Sequence, residues 1–378
     1  MTYRVPISAA ALVLAVLAFV LATIHREATP LSPEADRRSE YAAGLGQARV
    51  FIPDADGGWH QPVPLYTTKL ASLLGSADPV RTATAIVAAI DVALIVLIAD
   101  VVCANVLLAG AAGLLLAVAP GHVLLARLAA ESLFAVPFVL AWCLALVSFM
   151  RRQAVTTAVW MGTSLALGVF SAPIGPITMT ALAAFSAATM WARPAGRRGI
   201  ASAALTMALI VGAGTFIGTR LDHAPLVETI GRWWIHPAHI VNPIEGVEAV
   251  INRTSLSVRV ARYWHVLNPV DLFLPGPAGG SAPLGIGYLV LVLLGMGWWT
   301  TQRPADGRLV GLAILLVPIA GVTFEEASIA NAAALLPLLV LLAMGGAAHA
   351  MGRSPTWSRA LALVSALAIL SQSAFLLF

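Results

Sequence analysis

Two carboxylates two residues apart, Glu34 and Asp36 in SPEADRRSEYAAGLGQAR (residues 32–49), are the first groups in the chain whose type and setting could do chemistry. A carboxylate held near a low-dielectric boundary has its pKa raised toward the range in which it can act as a general base. The same two acids could instead occupy the first turn of a short helix and interact with its N-terminal dipole. Side chains that could meet a growing negative charge are Lys69, Arg81, His122 and Arg127, and later in the chain Arg259, Arg262 and His265. Arg127 also stands at i, i+4 from Glu131, the spacing of a boundary ion pair, and long cationic side chains at a membrane edge snorkel to headgroups. His60, close to Asp54 and Asp56 in VFIPDADGGWHQPVP (residues 50–64), could ligate a divalent metal ion with an acid of the first motif, or act as a hydrogen-bonding loop residue. Asp91 sits about ten residues into an apolar run. An ionisable group there is a functional candidate because its burial is costly, and the plainer reading is a proton-bearing Asp bonded to a neighbouring Ser or Thr.

These groups must be positioned by a membrane protein. Of 378 residues 59% are hydrophobic and 11% charged, with a mean hydropathy of +0.88, whereas a soluble chain is nearer a quarter charged. A soluble enzyme is excluded. At roughly 20 apolar residues per crossing the composition suffices for about ten or eleven helices. Apolar runs near 6–24, 80–101, 105–119, 132–150, 154–172, 174–192, 200–219, 283–300, 309–323, 329–348 and 358–377 give eleven candidate spans. The first is too long for a signal-peptide h-region and reads as a retained helix. Cys103 and Cys143 lie in apolar runs and suggest neither a disulfide framework nor a zinc site. The net charge of +4 comes from loop arginines and does not describe a nucleic-acid surface.

With the N-terminus inside, the inner loops carry Arg4, Arg151, Arg152, Arg193, Arg197, Arg198, Arg303, Arg308, Arg353 and Arg359 against the single acid Asp306, a clear positive-inside signal. Two outer loops are long, 25–79 and 220–282, so the working surface faces outward. The first carries Tyr41, Phe51, Trp59 and Tyr66, and the second Trp233, Trp234, Tyr263 and Trp264, aromatics that also anchor at headgroup level. Residues 32–49 have the pattern of a capped amphipathic helix and PLYTTKLASLLG (64–75) that of a second, both lying along the outer leaflet.

The order of features resembles the GT-C superfamily of membrane glycosyltransferases, in the bacterial branch similar to protein O-mannosyltransferases and aminoarabinose transferases. The resemblance rests on SPEAD (32–36), HQPVPLY (60–66) and Arg81 after GSADPV. It continues in the stretch 110–152 with APGHVLLARLAAESLF, in YWHVLNPVDLFLPG (263–276) and in NAAALLPLLVLLA (331–343). It implies an all-α polytopic fold of about eleven transmembrane helices in a single transmembrane domain. It further implies transfer of a sugar from a polyprenyl-phosphate carrier to an acceptor at the outer face of a bacterial cytoplasmic membrane. The family's catalytic acid belongs to the acidic motif of the first outer loop, here Asp36 or Glu34, since the usual D-E pair is split by Ala35. Substrate-binding roles fall on Trp59, His60, Gln61, Lys69, Arg81, His122, Arg127 and Glu131, and in the second loop on Arg262, Tyr263 and His265. A divalent metal ion is a possible cofactor, and membrane lipids are partners. A noncatalytic scaffold or partner subunit of the same fold is an alternative. So is a lipid or solute transporter, which would need more than one ionisable group at the depth of Asp91.

Overall fold

A computed structural model describes residues 7–24, 29–44, 52–53, 59–172, 175–221, 253–274, 282–302, 304–321, 333–351 and 356–377. In chain order the helices are α1 (Ile7–Thr23), α2 (Pro33–Gly44), α3 (Pro62–Leu73), α4 (Pro79–Cys103), α5 (Val106–Ala117), α6 (Pro120–Arg127), α7 (Val136–Arg152), α8 (Val155–Val169), α9 (Gly175–Trp191) and α10 (Gly196–Leu221). The series continues with α11 (Arg253–Val266), α12 (Pro269–Phe273), α13 (Ile286–Gln302), α14 (Pro304–Leu316), α15 (Pro318–Gly321), α16 (Leu335–Met351) and α17 (Thr356–Leu377). A 3-10 turn, Glu131–Ala135, precedes α7, and β1 (Ile52–Pro53) pairs antiparallel with β2 (Trp59–His60). Each apolar run read from the sequence overlaps a helix, except that the run 309–323 is divided between α14 and α15 at Val317-Pro318, and residues 322–332 lie outside the described residues.

Three of these helical segments, Pro79–Cys103, Glu131–Arg152 and Gly196–Ile217, are long and apolar enough to cross a bilayer by themselves. Joining Val106–Ala117 with Pro120–Arg127 across their 51° bend gives a fourth. The apolar run 105–119 therefore does not end at the proline. Pro120 cannot extend α5, so it starts α6 as a first-turn residue, and the chain runs two further helical turns in a new direction.

α4 is the central helix of the N-terminal half and packs against α1, α3, α5, α6 and α7. It begins at Asp78, whose side chain accepts a hydrogen bond from the Arg81 N–H at 3.1 Å, followed by Pro79 in the first turn. It ends at Ala104 in the left-handed region, and Asn105 then caps α5 by accepting from the Leu107 and Leu108 N–H groups. α16 is the corresponding centre of the second half, buried all round from Leu335 to Gly346. It lies so close to α13 that a Cβ on Gly295 would stand 1.8 Å from the Leu342 carbonyl oxygen, and one on Gly346 2.1 Å from that of Leu291. In lipid the hydrophobic effect gives little drive between helices, so this backbone-to-backbone approach supplies the packing. The halves are joined where α16 meets α5 and where the Tyr288 hydroxyl donates to the Leu115 carbonyl at 2.6 Å.

Candidate functional site

The first-loop helices are fastened to one end of the bundle, at the start of α4. The Ser32 N–H donates to the Leu128 carbonyl at 3.0 Å, and Ala35, with Leu31 against it, packs on Val80 and Ala129. Arg38 is buried, donates through Nη2 to the Ala129 carbonyl at 3.0 Å and lies 5.0 Å from the centre of the Phe134 ring. That carbonyl is available because Ala129 takes a left-handed conformation (φ 55) just past α6, interrupting the helix before the 3-10 turn. The break also puts Arg127 and Glu131 on different elements, so their i, i+4 spacing is not helical. The Thr84 hydroxyl donates to the Ala126 carbonyl at 3.0 Å, tying α6 to the first turns of α4.

Around this joint stand most of the residues singled out in the first loop. Asp36 is exposed on α2, while Arg38 on the same helix points into the joint. Glu34 lies in the first turn of α2, but its side chain is outside the described residues, as are the side chains of Trp59 and His60 on β2. Gln61 is buried at the entry to α3, and its Oε1 has no hydrogen-bond partner among the described residues. Lys69 is half-buried on α3, and Glu131 is half-buried at the head of the 3-10 turn. Arg81 donates to the Thr29 carbonyl and lies 3.6 Å from Asp78. Arg127 is buried and donates through Nη2 to the Leu21 carbonyl at 3.1 Å, closing the end of α1. Arginines 38, 81 and 127 thus converge on one rim, each holding a main-chain carbonyl.

His122, expected from the sequence to meet a growing negative charge beside Arg127, is not at the rim with it. The bend before Pro120 carries it into the interior, where its Nε2 is 3.4 Å from Oδ2 of Asp91 and both side chains are sealed, at 2% and 0% exposure. Asp91 therefore has an imidazole as its partner and not the neighbouring Ser or Thr expected of it. Its Oδ1 has no hydrogen-bond partner among the described residues. A carboxylate and an imidazole that share one proton are neutral as a pair, the form in which two such groups cost least to bury. This supplies the second ionisable group that a transporter reading required at this depth, but each group faces the other.

The described residues of the second loop from 253 to 274 form a separate layer. Tyr263 on α11 donates to the Leu315 carbonyl at 2.7 Å, burial pushes its phenol above the ordinary value, and Trp264 stacks edge-on against it. His265 Nδ1 is 3.1 Å from Asp271 Oδ2, which also accepts from Asn268 Nδ2 at 2.8 Å, all exposed or partly so. Arg262 is half-buried on the same helix. The layer reaches the first-loop side through its foot: the Leu284 N–H donates to the Leu272 carbonyl, and the Gly121 N–H donates to the Pro283 carbonyl at 2.7 Å. A Cβ on Gly121 would meet that oxygen at 2.9 Å, so only glycine lets α6 come this close.

No three of His, Cys, Asp and Glu converge among the described residues, and Asp54, Asp56 and the side chains of Glu34 and His60 lie outside them. Arg38 and the Asp91–His122 pair are what sequence reasoning missed. The signals available were the Ala-rich turn after Arg127 and the Pro120-Gly121 break before His122, but neither specifies a partner tens of residues away.

No family model matches the chain, and no curated protein matches it in sequence. Solved structures match it in fold. The oligosaccharyltransferase of Archaeoglobus fulgidus in its apo form superposes with a TM-score of 0.54 at 14% identity over 97% of this chain and 55% of the other. The same organism's AglB, solved with an inhibitory peptide and a dolichol-phosphate, gives 0.53 at 12% over 98% and 55%. ArnT from Cupriavidus metallidurans, bound to undecaprenyl phosphate, gives 0.63 at 13% over 97% and 71%. The chain spans about half the length of the archaeal enzymes. Its fold is that of the GT-C membrane glycosyltransferases.

Proposed function

We propose that the protein moves a sugar from a polyprenyl-phosphate carrier to an acceptor at the outer face of a bacterial cytoplasmic membrane. In this reading it crosses the membrane eleven times with its N-terminus inside, α2 and α3 lie along the outer leaflet, and loops 25–79 and 220–282 form the working surface. The observation that carries it is α2 itself, bolted to the bundle by Arg38 and Ser32 while Asp36 remains open on its surface.

Asp36 takes the proton from the acceptor's nucleophilic atom as that atom bonds to the anomeric carbon. The bond from that carbon to the carrier's phosphate oxygen breaks, and the phosphate leaves with the electron pair. Charge grows on the leaving phosphomonoester, which cationic donors stabilise. Lys69 and Arg81, both partly exposed beside α2, are suited to this. Glu34 is the second candidate for the base, and Trp59, His60, Gln61, Arg262, Tyr263 and His265 are candidates for holding the sugar and the carrier.

A noncatalytic scaffold of the same fold is the second reading, favoured by the commitment of Arg38, Arg81 and Arg127 to main-chain carbonyls. A transporter ranks behind both, because Asp91 and His122 are directed at each other. The test is release of free polyprenyl phosphate from polyprenyl-phosphate sugars by the purified protein supplied with a bacterial membrane extract as the source of acceptor, read beside binding of undecaprenyl phosphate. Turnover in the parent that is lost in Asp36→Asn or Glu34→Gln, with binding kept, supports transfer. Binding without turnover in the parent selects the scaffold.

A further inference from the structure

At the end of the bundle opposite the first-loop site, four exposed arginines stand on two turns that are locked together. α4 measures the separation: its first turn belongs to the candidate site, its last carbonyls, Val101 and Val102, accept from the Arg151 guanidinium, and its 25 residues span about 37 Å at 1.5 Å per residue. Arg151 is thereby spent as a helix cap. Its neighbour Arg152 is exposed, and the chain then turns at Gln153 in the left-handed region. The Gln153 Oε1 accepts the Ala195 N–H at 3.2 Å, which pins this turn to the α9–α10 turn carrying Arg193, Arg197 and Arg198, all exposed.

The second turn is itself rigid. The Arg193 N–H donates to Met190, that of Gly196 to Arg193 and that of Gly199 to Ala195, each at 2.9 Å. A Cβ on Gly196 would stand 1.7 Å from the Met190 carbonyl oxygen, and one on Gly199 2.6 Å from the Phe149 ring. The guanidinium groups are therefore presented by a fixed platform and not by flexible loops. The sequence has no Asp or Glu between Glu131 and Asp222, and among the described residues none of the four arginines pairs with a carboxylate; the half-buried Asp100 in the last turn of α4 is an acid at this end.

The Arg197 guanidinium lies 5.3 Å from the centre of the Trp191 ring, and that Trp is 63% exposed. A stacked Trp–Arg pair suits the headgroup layer, where one side is apolar and the other wet. α10 leaves the platform as an apolar helix that packs on α8 and α9 along one side, and only 6% of its spanning window is buried, so its other side, with Leu205, Leu209 and Phe216 exposed, is open to acyl chains.

We infer that the platform formed by Arg152, Arg193, Arg197, Arg198 and Trp191 binds the phosphate of an anionic membrane lipid, with the acyl chains lying along α10. The anion is a lipid phosphate and not free phosphate, because the Trp ring and the open helix would otherwise have no role in binding. The site lies outside the donor site proposed above and does not depend on the transfer reaction. In the orientation given there it faces the inner leaflet.

The test is a titration of detergent-solubilised protein with short-chain phosphatidylglycerol, phosphatidylcholine and inorganic phosphate, read as bound lipid by native mass spectrometry and as thermal unfolding midpoint. The parent should bind phosphatidylglycerol saturably and the other two far more weakly. Each of Arg152→Gln, Arg193→Gln, Arg197→Gln and Arg198→Gln should weaken it about fivefold, the factor for roughly 1 kcal/mol per basic residue at a lipid surface. The double variant Arg308→Gln with Arg359→Gln, which removes two exposed arginines from other turns, should bind as the parent does. Equal loss in that double variant would mean a diffuse charge effect, and unchanged binding in the four single variants would mean no site. Either result, or inorganic phosphate binding as well as the lipid, overturns the proposal.

Discussion

Neighbouring side chains on α2 have opposite tasks, and this separates chemistry from architecture by single substitutions. Asp36 faces out and Arg38 faces in. Removing a base takes away an interaction used in the transition state and not in ground-state binding. Asp36→Asn should therefore eliminate donor turnover while leaving carrier binding and the unfolding midpoint near the parent's. Arg38→Ala strips the Ala129 carbonyl of its buried charged donor and opens a void beside Phe134. It should lower stability by about 2–4 kcal/mol, measured by thermal unfolding in detergent, with turnover per folded molecule reduced less than in Asp36→Asn. The reverse pattern would make Asp36 a helix-end residue and nothing more. A helix opening at SPEAD was legible in the sequence, but the burial of Arg38 within it was not. A buried arginine and a surface arginine look the same in sequence until the turn at Ala129 shows which carbonyl lacks a donor.

The elements were legible because apolar runs broken by Pro, Gly and charge set helix limits by local rules. The turn of α6 was not, since Pro120 specifies a break but not its direction. Direction is fixed by tertiary contacts, among them the Asp91–His122 pair and the Gly121–Pro283 hydrogen bond. Removing one member of a buried pair strands the other, whereas replacing both by apolar groups can be nearly neutral. His122→Leu alone should therefore destabilise by about 3–5 kcal/mol, and adding Asp91→Leu should recover much of that loss in a double-mutant cycle by denaturation. Additive losses would mean that the two groups do not act as a pair. Glycines on α13 and α16 provide a similar contrast. Gly346 faces the Leu291 carbonyl across the α13–α16 crossing, whereas a Cβ on Gly297 of α13 would meet nothing within 4 Å. Gly346→Ala should cost about 1–3 kcal/mol through overpacking. Gly297→Ala should be neutral or slightly stabilising, because alanine is the better helix former.

At the scale of the molecule, the charge pattern assigns turns to a side of the membrane, and the structure shows which turns share an end of the bundle. Ten arginines against one acid mark one set of turns as inner in the sequence. In the structure, Arg151 caps the far end of α4 and Gln153 binds the turn at Ala195, whereas the first-loop helices gather at the near end. The two ends are about 37 Å apart along α4, more than the roughly 30 Å of a bilayer's hydrocarbon core. A membrane crossed by α4 must then separate Ala77, exposed just before that helix, from Ala192, exposed at the end of α9. With Cys103 and Cys143 replaced by Ser and Ala, Ala77→Cys should react with an impermeant maleimide from outside intact cells. Ala192→Cys should react only after the membrane is opened. Exchange of the two patterns would invert the orientation and move the proposed transfer to the cytoplasmic face, while keeping the fold. Labelling of both from one side would mean that α4 does not cross, and the eleven-span arrangement would fall with it.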